Sequence, residues 1–224
     1  MTLHLQEINV DNDFPALARC MFESYEDPPQ KFFHIFFPTH GTNAEAREEA
    51  IAEAADRLKL WHTPDPSSYW RKVVDSETGN IAGGALWKIH RENPFASPSA
   101  AEVTWFPEGG SRAYVEQALQ LHSAPRARVA QRAHVCVGQQ FMDWGMRKAD
   151  ELRLEIFLDS TPYGKRLYEA NNFVSIEENV IHPQREEQDK EWQEIEKKVG
   201  KFTFWLMRRP VEGKHEAGGR PWEN

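Results

Sequence analysis

The sequence predicts an α/β (α+β) chain with a mixed, mostly antiparallel central sheet and helices on both faces. Three observations predict it. Residues 134–173 read strand, helix, strand, helix, and so short a crossover joins parallel strands. Residues 69–90 read as an antiparallel hairpin closed by Ser76-Glu77-Thr78-Gly79-Asn80. The remaining stretches carry helical periodicity bounded by capping residues. The 224 residues suffice for one domain with a sizeable core, expected over 1–210, with a flexible tail over 211–224.

Residues 3–10 alternate through Leu3, Leu5 and Ile8 and read as a first strand. Asp11 or Asp13 caps the helix that follows, and Pro15 fits its first turn. Phe14, Leu17, Ala18, Met21 and Phe22 fall at helical spacing along it. The aromatic run KFFHIFFP over 31–38 reads as a short helix or a loop lid, or as core filling under the next helix. Asn43 or Thr42 caps a long helix over 44–61, rich in Ala, Glu and Arg. Its apolar stripe of Ile51, Ala55 and Leu58 is narrow and places it at the surface. In the hairpin, Gly83 and Gly84 mark a bulge or a close approach of another group.

Residues 91–110 form a long Pro-rich loop carrying Trp105 and Phe106. A helix is expected over 112–122. Pro125 then opens a basic stretch with Arg126, Arg128 and Arg132, read as a solvated turn or a phosphate contact. Residues 134–137 suit a buried strand, 141–152 a helix with two apolar stripes, and 154–158 (LEIFL) the next strand. Asp159-Ser160-Thr161-Pro162 reads as a break, with Thr161 or Ser160 capping a helix that ends at Asn171-Asn172. A strand over 174–181, a charged helix over 186–199 with Trp192, Ile195 and Val199 on one side, and a strand over 201–208 complete the chain.

Composition narrows the function. A net charge of −8 argues against general nucleic-acid binding, which needs a basic surface. The 2 cysteines, Cys20 and Cys136, form neither a disulfide framework nor a zinc pattern. No stretch approaches the roughly 20 apolar residues of a membrane span. The start MTLHLQEINV lacks the basic and apolar regions of a signal peptide. A cytoplasmic protein with neither nucleic acid nor membrane as partner is expected.

The run FMDWGMRKADEL followed by GKRLYEANNF resembles the second half of a GCN5-related N-acetyltransferase domain of the fungal small-molecule type. WRKVVDSETGNIAGGALWKIHRENPF and WFPEG resemble the central hairpin and following loop of the same group, so that the resemblance covers roughly residues 3–182. It implies acyl transfer from acetyl-CoA to a small-molecule amine, of the kind used in specialised metabolism. It also implies two parallel strands that splay apart, with the pantetheine pairing on one of them as an extra strand. In that family a tyrosine in the LYE position, here Tyr168, protonates the departing thiolate. A phenol of pKa ~10 is a competent donor to a thiolate of similar basicity. The pyrophosphate lies on backbone amides at a helix start, which here corresponds to Val137, Gly138, Gln139 and Gln140, with Ser160 from the break after the neighbouring strand.

The chain departs from the family pattern at that joint. VCVGQQ passes almost directly into FMDWG, where the family has a glycine-rich loop, and Asp143 occupies the helix's first turn. The second reading is therefore a chain of the same fold that no longer binds acetyl-CoA and serves as a ligand-binding or inactive homologue. His90, Glu102 and Glu108 are the candidate bases. His134 and Cys136 share a strand face and can pair on a metal, but spacing offers no third ligand, so no metal is expected.

Overall fold

The computed structural model describes residues 2–97, 103–137 and 142–215. It falls into two compact units, Met1–Ile89 with Val137–Gly145, and His90–Cys136 with Met146–Asn224. Strand pairing in both is antiparallel except for one parallel pair, and the expected α/β class holds.

In the first unit, β1 (Leu3–Glu7) pairs with β2 (Ser68–Asp75), which pairs with β3 (Ile81–His90), both antiparallel. The turn closes on Asp75, whose carboxylate accepts from Glu77 N at 3.0 Å and Thr78 Oγ1 at 3.1 Å. Gly79 takes the left-handed conformation there, with φ +73°. Both readings of the strand glycines are realised, at adjacent places. Val73 faces Gly83 while Val74 faces Ile81, so Ala82 is the extra residue of a bulge. At Gly84 a Cβ would lie 2.4 Å from Leu17 Cδ2, which is the close approach of a helix.

That helix is α1 (Phe14–Glu26), with Pro15 in its first turn. It packs on α3 (Ala44–His62), whose cap Asn43 accepts from Ala46 N at 3.0 Å. The buried stripe of α3 is wider than Ile51, Ala55 and Leu58, because Ala50 and Ala54 join it and let the helices approach closely. The aromatic run contains α2 (Phe33–Phe36) and is core, not lid: Phe33, Ile35 and Phe37 are buried with Phe22, Leu17 and Ile51. Phe22 meets Phe33 edge-on at 4.9 Å, and Tyr25 stacks on Phe33 at the same distance.

The second unit orders its strands as β4 (His134–Val137), β5 (Ile156–Ser160), β7 (Phe202–Arg209) and β6 (Val174–Ile181). β4 and β5 are parallel; the other two pairings are antiparallel. The largest correction is α4, which runs from Gly110 to Val129 straight through Pro125. Residues 125–129 are thus helix rather than a basic turn. It packs on β6 and β7 and on α7 (Lys190–Val199), whose cap Asp189 accepts from Trp192 N at 2.8 Å. Trp192, Ile195 and Val199 are buried, as their spacing requires.

The other side of β7 meets α5 (Met142–Leu152) and α6 (Lys165–Glu169). Asp150 of α5 accepts both guanidinium nitrogens of Arg209, at 2.7 and 2.9 Å, and Lys165 lies over the Trp205 ring at 5.1 Å. β5 begins two residues later than its apolar run. Leu154 N bonds Ala149 O at 2.9 Å and Arg153 takes φ +56°, so those residues terminate α5 instead. It also ends later, because Asp159 and Ser160 pair with Leu206 and Trp205. Residues 161–164 then form a turn, and α6 starts from Gly164 without a side-chain cap, which corrects the capping role given to Ser160 or Thr161. Asn172 closes α6 in the left-handed conformation, at φ +65°. Of the C-terminal stretch, Glu212 N donates to Asp150 Oδ1 at 2.9 Å, and His215 Nε2 lies 3.1 Å from Asn172 O.

Candidate active site

The parallel pair in the second unit is short. Its register runs only from Val135↔Ile156 to Cys136↔Phe157, while β5 continues through Leu158, Asp159 and Ser160 with β7 as partner. On the β4 side those three residues have no strand partner among the described residues. β-strand periodicity divides their side chains between two faces.

One face, under α4, is unusually polar. Asp159 from β5 is buried and receives Arg126 Nη1 at 3.2 Å, with His122 Nε2 at 3.6 Å. Both partners come from α4, four residues apart on one side of the helix. Arg126 also reaches Cys136 Sγ at 3.7 Å. Asp159 Oδ1 is buried with no hydrogen-bond partner. Burial lowers the pKa of His122, a direction that Asp159 opposes and Arg126 reinforces. Desolvation would lower that of Arg126, but Asp159 and then Cys136 outweigh it and raise it.

Each of the three arginines has an acidic partner, with which a phosphate would have to compete. Arg126 is held by Asp159, Arg128 by Glu177, and Arg132 by Glu155, which also accepts from Arg208. The spacing of positive residues was visible in the sequence, but their partners lie far along the chain.

Ser160 and Tyr168, the residues that the resemblance implies, lie near the end of β5. Ser160 is fully buried, and its Oγ donates to Thr161 O at 2.8 Å. Tyr168 is also buried, its ring 5.6 Å from Phe173 and its backbone N bonded to Gly164 O. The turn over 161–164 therefore brings Ser160 and Tyr168 to the same end of β5. Val137 closes β4; Gly138, Gln139 and Gln140 lie outside the described residues, and so does the expected missing loop. Among the candidate bases, Glu108 is exposed beside Arg112, and Glu102 lies outside the described residues. His90 packs against His134 with ring centroids 5.2 Å apart.

The first unit holds a separate pocket of about 120 Å³, lined by Phe22, Tyr25, Gln30, Phe33, His34 and Thr39 among others. Gln30 Oε1 is buried there without a hydrogen-bond partner, and burial raises the pKa of the Tyr25 phenol. Drug-sized ligands occupy roughly 300–1,000 Å³, so this space holds one small group rather than a whole ligand.

No protein-family model matches the chain, and no curated protein matches it. Solved structures do. The chain is similar to a histone acetyltransferase HPA2 and related acetyltransferase from Corynebacterium glutamicum, with a TM-score of 0.52 at 15% identity over 97% of this chain and 99% of that one. It is similar to an agmatine N-acetyltransferase, with a TM-score of 0.53 at 13% identity over 92% of this chain and 98% of that one. At these identities the likeness shows a shared acetyltransferase fold.

Proposed function

We propose that the chain is an acetyl-CoA-dependent N-acetyltransferase acting on a small-molecule amine. The observation that carries this reading is the parallel pair that ends at Cys136↔Phe157 while β5 continues for three residues. Among the described residues that stretch of β5 has no partner on its β4 side, and such an edge can pair with an extended amide chain, as the pantetheine arm of the acyl donor is. The fold shared with an agmatine acetyltransferase supports an amine as acceptor.

In this reading the amine attacks the acetyl carbonyl, and the C–S bond breaks as the new amide forms. The CoA thiolate takes a proton from Tyr168, and the proton that the attacking nitrogen sheds as the amide forms returns, through solvent, to the phenolate. Tyr168 lies in α6, which follows the turn after Ser160 at the end of β5.

Specific observations favour the second reading, in which the fold no longer binds acetyl-CoA. Asp143 occupies the first turn of α5, where a phosphate would meet the helix dipole, and Arg126, Arg128 and Arg132 are each neutralised by an acid. Calorimetric titration of acetyl-CoA into the full chain, with CoA alone alongside, separates the two. Micromolar binding supports acyl transfer. Absence of heat up to millimolar acetyl-CoA overturns it and leaves a binding protein or an inactive homologue.

A further inference from the structure

We propose that His90, His134 and Cys136 form a zinc site. His134 and Cys136 alternate on β4 and so share a face. The third member, which spacing could not reveal, is His90 at the end of β3. One donor atom from each residue lies within 4.8 Å of the others. An imidazole–imidazole–thiolate set suits zinc and excludes the oxygen-seeking magnesium and calcium.

The state of His134 is the second, independent observation. Its ring is fully buried, and its Nδ1 lies 2.6 Å from Arg132 O. A carbonyl oxygen only accepts, so Nδ1 carries the proton and Nε2 keeps its lone pair. That Nε2 is buried and has no hydrogen-bond partner. A ring whose Nδ1–H is fixed by a backbone carbonyl while Nε2 stands free is oriented as metal-binding histidines are. Phe157 meets the ring edge-on at 5.4 Å and Phe95 stacks on it at 6.3 Å, which holds its plane and keeps water out.

Charge and geometry are compatible with the ion. Arg126 Nη1 lies 3.7 Å from Cys136 Sγ, and the charge of Arg126 is balanced by Asp159. Zinc bonds of about 2.0–2.3 Å imply donor separations of roughly 3.3–3.8 Å in a tetrahedron. The trio must therefore close by about an ångström at its widest, a rotation available to His90, which is only half-buried. Three protein ligands leave a fourth position for water or an exogenous donor.

The test uses the full chain, stripped with chelator and free of any histidine tag, titrated with Co²⁺ and then with Zn²⁺. One Co²⁺ per chain should bind with a thiolate-to-cobalt charge-transfer band, and Zn²⁺ should abolish the band. Cys136→Ser should lose the band, and His90→Gln should weaken binding at least tenfold, with circular dichroism checking that each variant is folded. A parent chain without the band, or unchanged affinity in His90→Gln, overturns the site. If Cys136→Ser does not fold, His90→Gln at its half-buried position decides alone.

Discussion

Asn179 donates from Nδ2 to the carbonyl of Leu121 at 3.0 Å, and Leu121 is the residue whose helical donor is missing because position 125 is proline. The same amide reaches His122 O at 3.2 Å. A β6 side chain thus satisfies the Leu121 carbonyl that Pro125 would otherwise leave bare, and α4 continues to Val129. Asn179→Ala should cost about 1–3 kcal/mol, the range for a buried polar group left unpaired. In a Pro125→Ala background, where residue 125 again has an N–H for Leu121, the cost should shrink. Urea unfolding of the four chains of the double-mutant cycle measures this, and equal costs in both backgrounds would sink the compensation argument.

That relationship also marks what the sequence could and could not disclose. The β2–β3 hairpin and the apolar stripe of α7 are legible because their signals are local: Gly79 lies in the turn, and Trp192, Ile195 and Val199 share one side, although Asp189 caps α7 and starts it at Lys190 rather than at 186. The length of α4 was not, since Pro125 reads as a stop and its remedy, Asn179, lies on another strand. β5 was read short at Leu158 because Asp-Ser-Thr-Pro is turn chemistry; pairing with Leu206 and Trp205 overrides it. Near the end of β5, the order Ser160, turn, helix with Tyr168 follows from Pro162 and the spacing of Leu167 and Tyr168. Asp159 was not singled out, because its partners His122 and Arg126 come from a helix that the sequence reading ended at the first of them.

Trp87 and Gly145 make the tightest fit in the first unit. A Cβ at Gly145 would lie 1.8 Å from Trp87 Cη2, and Trp87 is fully buried with Trp144 edge-on to it at 5.9 Å. Gly145→Ala should therefore destabilise by about 3 kcal/mol, the upper part of the overpacking range. Gly84→Ala should cost less, because the group it meets is the flexible end of Leu17. Thermal unfolding of both variants tests the ranking, and Trp87→Phe should recover part of the Gly145→Ala loss.

Acid should weaken the fold in two separate windows. Burial holds the folded-state pKa of His122 below its ordinary 6.5, so the unfolded chain binds the proton more readily. The associated stability is present above about pH 6.5 and is lost as pH falls below it. Asp150 is different: the hydrogen bonds from Arg209 hold its pKa below the ordinary 3.8, so its contribution persists until pH falls below about 4. Urea midpoints measured from pH 8 to pH 3 should show both declines. His122→Gln should flatten the first and leave the second, whereas Asp150→Asn should do the reverse.

Tyr168 carries the mechanistic prediction. If it protonates the departing thiolate, Tyr168→Phe keeps the ring packed on Phe173 and removes only the hydroxyl. Turnover should fall by roughly 10²–10⁴, the usual contribution of a positioned general acid, while acetyl-CoA affinity stays within about twofold. An aromatic ring needed only for packing would give the opposite pattern, with Tyr168→Phe near the parent in both quantities and Tyr168→Ala impaired through loss of the buried ring. Single-turnover acetyl transfer to an amine identified by screening, measured beside calorimetric acetyl-CoA binding for both variants, separates a proton donor from a core tyrosine. Unchanged turnover in Tyr168→Phe would remove the residue from the chemistry while leaving the open edge of β5 as the test of acyl-donor binding.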